Sequence, residues 1–298
     1  MPSLRADLPL SRCAICDSVT RRSISTRRPV RFAGRVRRYT RCTACGSRSL
    51  NPMPSEAELA ILYGAEYNDD AEPGPSIEGD PRADDWLLDS LAIARPDRFV
   101  DFGCGGGSLL AKVAATGVEA LGFDLDSRGV AAASSASGCA VYMLASIRDH
   151  QASADVVHIG DVLEHAPFPE HVLRQACSLL RPGGTVLAQG PLEANLSVFN
   201  AALSVAALAR RGRPVNLPPY HVHLVTARGQ LALFARVGLT TEEFDVSDVA
   251  WPAPAQWPRA ASSRLLGLFL LRRLSTAVSR LAPNRMSNRF RYRGRPPV

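Results

Sequence analysis

The run Val100-Asp-Phe-Gly-Cys-Gly-Gly-Gly-Ser-Leu-Leu110 constrains this chain more than any other. An apolar stretch, Arg98–Gly103, ends in a glycine cluster, and a helical pattern begins at Ser108, so the segment reads as a strand turning sharply into a helix. Glycines at 103, 105 and 107 let the backbone bend and approach a ligand without Cβ clashes. The free N–H groups at the start of the helix favour a carboxylate or phosphate. The next strand closes on Asp124, where a carboxylate can accept hydrogen bonds from two ribose hydroxyls. The dinucleotide fingerprint GxGxxG fails, because the sixth position is Ser108 counted from Gly103 and Leu110 counted from Gly105. The pattern is instead DxGxGxG, with Asp101 two places before the first glycine.

Downstream, strand and helix patterns alternate. Strands are predicted at Glu119–Asp124, Cys139–Leu144, Asp155–Ile159, Thr185–Gln189 and Thr240–Val246, with helices at Ser127–Ala136, Pro169–Leu180 and Ala227–Val237. Strands separated by helices imply right-handed crossovers and a mainly parallel α/β sheet with helices on both faces. Ligands then bind at the C-terminal ends of the strands. With 298 residues, 46% of them hydrophobic, the chain can bury one full domain and an accessory module. Residues 51–97 read as a linker and helical lead-in, 98–247 as the main domain, and 248–298 as a basic, partly helical tail. No convincing final strand is found after Val246. Leu196–Leu208 reads as a lid helix over an acceptor pocket.

Residues 1–50 carry Cys13-x-x-Cys16 and Cys42-x-x-Cys45, two thiolate hooks whose spacing predicts a tetrahedral zinc ribbon. Four cysteines leave no open coordination position, so the role is structural, and in so small a module the metal would supply the folding energy. Between the hooks lies an arginine-rich stretch, read as a solvated surface, as a grip for an anionic acceptor such as a phosphosugar or lipid-linked glycan, or as an RNA contact. The net charge is +7 and Lys112 is the only lysine. A basic surface favours anionic partners, but sparse aromatics argue against stacking on single-stranded nucleic acid. The first 20 residues lack the apolar core of a leader, and no run of about 18 apolar residues appears. A cytoplasmic location is expected. The leucine stripe from Leu266 to Leu281 allows peripheral membrane contact.

These segments together resemble the class I S-adenosylmethionine (SAM) dependent methyltransferases, in the ubiquinone-biosynthesis-like group that carries an N-terminal zinc ribbon. DxGxGxG is the form that class I takes. Arg41-Cys-Thr-Ala-Cys-Gly46 with Asn51-Pro-Met-Pro54 resembles the ribbon and linker. Ala154-Asp-Val-Val-His-Ile-Gly-Asp-Val-Leu-Glu-His165 resembles strand four and its loop, and Leu179-Leu-Arg-Pro-Gly-Gly184 the turn before strand five. The resemblance implies a Rossmann-like sheet and a SAM site. In it Asp101, Gly103, Cys104, Gly105 and Gly107 line the methionyl and ribose parts. Asp124 holds the ribose, Leu125 and Ser146 flank the adenine, and Gly160 and Asp161 close over the methionyl end. Methyl transfer to a hydroxyl calls for a base near neutral pKa. His165, His221 and His223 are the candidates, and His158 reads as a core histidine. The implied activity is methylation, at oxygen in the first place, of a small molecule, sugar or lipid-linked glycan. The alternatives are C-methylation of a quinone-like or sugar acceptor, methylation of RNA, and a SAM-fold protein without catalysis. Oligomeric state is not legible.

Overall fold

A computed structural model describes residues 11–62, 84–209, 213–214, 220–248 and 263–297, apart from 21, 26 and 28. The N-terminal segment is a set of short antiparallel strands: β1 (Ser11–Arg12), β2 (Val19–Thr20), β3 (Arg22–Ile24), β4 (Val30–Phe32), β5 (Arg35–Cys42) and β6 (Arg48–Asn51). β1 pairs with β2, while β3, β4 and β6 all pair with β5. The guanidinium of Arg37, fully buried, donates to the Phe32 carbonyl at 2.6 Å and pairs with Glu58. Glu58 lies on α1 (Glu56–Leu62), so this ion pair fastens the segment to the first helix. A buried charge of this kind is tolerable only because it is paired and hydrogen-bonded.

The main sheet follows α2 (Asp85–Ala94). Its elements are β7 (Arg98–Phe102), α3 (Ser108–Ala114), β8 (Glu119–Asp124), α4 (Ser127–Ser137), β9 (Ala140–Met143), a 3-10 turn over Leu144–His150, β10 (Ala154–Gly160), α5 (Pro169–Ser178) and β11 (Leu180–Pro191). After them come α6 (Val198–Ala209), β12 (His223–Leu224), α7 (Ala227–Arg236), β13 (Thr240–Ser247), α8 (Ser263–Ser279), α9 (Pro283–Met286) and β14 (Arg289–Arg295). Seven strands lie in the order β13-β14-β11-β10-β7-β8-β9. Those from β11 to β9 run parallel, and β14 is antiparallel to both of its neighbours. Side chains alternate between the faces. Phe99, Val156 and Leu187 pack with α2 and α3 on one side, whereas Val100, Val157 and Val186 pack with α5 and α7 on the other.

The expectation that residues 248–298 form a tail beyond the sheet is corrected here, as is the expectation of no final strand. β14 sits inside the sheet, and Phe290 and Tyr292 are buried in its core. The ring of Tyr292 stacks on Phe234 of α7 with centroids 3.8 Å apart. Alternation explains it: Phe290 and Tyr292 face the core, while the arginines between them, which make the segment look solvated in sequence, sit at the other positions. The leucine stripe, apart from Leu281, belongs to α8, which packs on α6, the helix found where a lid was expected. Among the described residues no helix is long and apolar enough to cross a membrane. Truncation of Phe290 to Ala should therefore cost about 3–5 kcal/mol in urea unfolding. A loss below about 1 kcal/mol would mean that the strand is not part of the core.

Candidate active site

The glycine turn leaves β7 at the C-terminal edge of the parallel strands. Gly103, Gly105 and Gly107 have φ of 82°, 51° and 76°. This is the left-handed region that side chains disfavour. A Cβ on Gly103 would overlap Val162 Cγ2, and one on Gly107 would lie 2.8 Å from the Ala133 carbonyl oxygen. Asp124, at the end of β8, is oriented by this turn: Gly105 N–H donates to its Oδ2 at 2.8 Å, and Leu125 N–H donates to its Oδ1 at 2.7 Å. Leu125 itself is exposed, while Ser146 in the 3-10 turn donates to the Met143 carbonyl. Asp101 is buried, and strand pairing sets it opposite His158, whose Nδ1 lies 2.8 Å from its Oδ1. His158 is thus a positioning group for the first acid of the glycine motif. Cys104 is buried against Gly122, and burial, then Asp101 and Asp124, push its thiol up to about 12.

A second cluster gathers after β10. Asp161, with φ of 52°, holds Arg289 of β14 in a two-pronged ion pair at 2.8 and 2.6 Å. His165 Nδ1 lies 2.8 Å from the Tyr220 carbonyl, and its ring meets that of His221 edge to face at 4.8 Å. His221 Nδ1 lies 2.6 Å from Glu193 Oε2. Glu164 is buried, and its Oε1 has no hydrogen-bond partner among the described residues. Burial, then the charge of Asp161, push the Glu164 carboxyl up to about 8. Burial, then the charge of His221, hold His165 down at about 4. For His221, burial opposes the cation, but Glu193 carries it up to about 9. These shifts favour a His221–Glu193 ion pair, a neutral His165 and the protonated form of Glu164. His223 is apart from it. That side chain is fully buried, with Nδ1 at 2.9 Å from Ser49 Oγ and Nε2 at 3.3 Å from the Pro167 carbonyl. Its strand pairs with β6, so His223 serves the joint between ribbon and sheet.

A family model described as a methyltransferase domain matches residues 78–243. The chain belongs to the SAM-dependent methyltransferases. It is 31% identical to the ubiquinone biosynthesis O-methyltransferase of Thiobacillus denitrificans, over 63% of this chain and 83% of that one. The protein of the same name from Ralstonia nicotianae is 34% identical over 46% of this chain and 60% of that one. The chain spans about 60% of the length of the curated relatives at the head of this group. A solved SAM-dependent methyltransferase from Mesorhizobium loti overlaps at a TM-score of 0.44 and 17% identity, over 70% of this chain and 96% of that one.

The methyltransferase also holds its four ribbon thiols together. Cys13 and Cys45 Sγ are 3.9 Å apart, and Cys16 and Cys42 Sγ 3.8 Å. Four sulfurs placed tetrahedrally at about 2.3 Å from one ion stand about 3.8 Å apart, so the set fits such a metal. The ribbon then packs on the methyltransferase core. Thr226 Oγ1 donates to the Cys45 carbonyl at 2.7 Å, and Arg236 Nη1 donates to the Ala14 and Ile15 carbonyls at 2.9 and 3.0 Å. Arg27 Nη2 reaches the Glu193 carbonyl at 3.1 Å and Asn200 Oδ1 at 2.7 Å. Burial, then the charges of Arg27 and Arg41, hold the Arg48 guanidinium below its usual range, at about 10, while Glu193 works against them.

Sequence reasoning assigned no role to Glu164, Glu193 or Arg289, and read Arg27 only as one of the arginine-rich stretch. Glu164 stood within the strand-four motif beside His165, which was signal enough. The other three depend on tertiary placement. The turn gives a sharp test by calorimetry with S-adenosylhomocysteine. Gly103→Ala should weaken binding at least about tenfold, or about 1.4 kcal/mol. Gly106→Ala, at a position with open space and no positive φ, should change it little. Equal affinities would show that the turn does not carry the ligand.

Proposed function

We propose that this methyltransferase moves the methyl group of SAM to a hydroxyl oxygen of a small acceptor, with Glu164 taking the hydroxyl proton. When bound, SAM supplies an electrophilic methyl on a sulfonium, and the products are the methyl ether and S-adenosylhomocysteine. Asp101, Gly103, Cys104, Gly105, Gly107, Asp124, Leu125, Ser146, Gly160 and Asp161 are the proposed donor contacts. All of them lie at the C-terminal ends of β7 to β10, where an α/β sheet binds its ligand. The acceptor is proposed to lie against His165 and His221.

The observation that carries the reading is the buried carboxyl of Glu164, whose Oε1 has no hydrogen-bond partner among the described residues and lies 4.0 Å from His165 Nε2. A base works best with a pKa near the working pH. Glu164, near 8, meets that condition, whereas His165, near 4, is too weak and His221 is held as a cation by Glu193. The relatives named O-methyltransferases support oxygen over carbon as the acceptor atom. The ribbon is proposed to hold Zn2+ as a structural ion. A sugar or lipid-borne acceptor remains within this proposal, and the exposed Leu270, Leu274 and Leu281 near the C-terminus suit a lipid surface.

Methyl transfer from radiolabelled SAM to small-molecule and lipid fractions tests the activity. Catalysis should rise with pH and level off above about 8, since the base form of Glu164 appears only as its proton leaves. Glu164→Gln should lower kcat by about 100-fold or more and flatten that rise. Full activity in this variant would overturn the assignment. A second reading rests on the fact that Glu164, His165 and His221 offer ligand atoms within 4.8 Å of one another. Loss of activity in a mild chelator that spares the ribbon, restored by Mg2+, would favour a divalent cation there.

A further inference from the structure

We propose that the ribbon binds a phosphate group of the methyl acceptor between Arg27 and Arg48, which makes the acceptor a phosphorylated small molecule. The inference rests on the methyl-transfer reading above. Arg48 Nε and Nη1 and Arg27 Nε are inaccessible to solvent and have no hydrogen-bond partner among the described residues. Guanidinium N–H groups left dry and unpaired are costly, and such groups normally find an acceptor oxygen. Neither residue is fully buried as a whole, and Arg27 Nη2 is already held by the Glu193 carbonyl and Asn200.

The local charge does not balance. Arg41 faces Arg48 directly across the β5–β6 ladder, and directly opposed like charges repel. Arg27 and Arg41 both act on Arg48, and Glu193 is the anion that acts with them. The carboxylate of Glu193 is already engaged by His221. Arg27 and Arg41 thus act on Arg48 together with one carboxylate, Glu193, which is itself shared with the His221 imidazolium. The deficit of two or more negative charges fits a phosphate monoester or diphosphate, where a single carboxylate would leave the site still cationic. Guanidinium is suited to phosphate through its planar, forked donors.

The position ties this site to the chemistry. Arg27 holds the backbone of Glu193, whose side chain holds His221, which in turn packs on His165. A phosphate at the arginines would therefore anchor an acceptor whose hydroxyl reaches the cluster after β10. The unpaired donors lie in the joint between ribbon and sheet, which suits a compact phosphate ester and not a polynucleotide running over an outer face.

The test is calorimetry on the full, metal-loaded chain with inorganic phosphate, pyrophosphate, acetate and a single-stranded RNA oligomer, alongside S-adenosylhomocysteine. Phosphate or pyrophosphate should bind. Arg48→Gln and Arg27→Gln should each weaken that binding at least tenfold with S-adenosylhomocysteine affinity unchanged, which also shows that the variants fold. Arg31→Gln, at an exposed ribbon position, should leave it unchanged. No phosphate or pyrophosphate binding, equal affinity in the Arg27 and Arg48 variants, acetate binding as tight as phosphate, or tighter binding of RNA would each overturn the proposal. Loss of S-adenosylhomocysteine binding alone, with the phosphate results as expected, would instead sink the methyl-transfer reading and leave the anion site standing.

Discussion

The two-pronged ion pair between Asp161 and Arg289 organises the site. Arg289 is the first residue of the antiparallel strand inserted between β11 and β13, and Asp161 follows β10 directly. The charge of Arg289 is not tolerable there alone, since a buried guanidinium without its carboxylate costs several kcal/mol, whereas Asp161 keeps part of its surface in solvent. Their pairing fixes an anion beside Glu164, and that anion, after burial, is what holds the Glu164 proton. The last strand therefore reaches Glu164 by two steps: strand insertion places an arginine, and the arginine keeps an aspartate ionised beside that carboxyl.

The ribbon is built into the same arrangement. β12 joins the ribbon sheet as an added strand, and the α7 N-cap residue Thr226 and C-terminal Arg236 both bond to ribbon carbonyls. A module of this size has little core of its own, and here it shares one, with Cys13, Ile15, Cys42 and Cys45 in the same cluster as Leu233 and Phe234. Loss of the proposed ion would then disturb the wall that Arg27 presents to Glu193 as well as the ribbon itself.

What the sequence shows and hides follows from how local each signal is. The glycine turn, Asp124 and strands β7 to β10 are legible because each rests on a short motif or on period-2 alternation within a few residues. The pairing of His158 with Asp101 is not, because it needs the register of two strands. β14 hides for another reason: Arg289, Arg291, Arg293 and Arg295 alternate with Phe290 and Tyr292, and in an arginine-rich chain the charged half of the pattern reads as solvated tail. His221 and His223 look equivalent when the segment is taken as one extended strand. The strand that forms starts at His223, so only that residue is locked into the ribbon joint, and His221 turns toward Glu193.

The proposed chemistry requires the donor to bind with its methyl beside the charged cluster. A crystal structure with S-adenosylhomocysteine decides this most directly. The ribose should lie on the Asp124 carboxylate, with the sulfur pointing toward Glu164 and the His165–His221 pair. A ligand bound elsewhere, or a sulfur facing away from that cluster, would rule out Glu164 as the base.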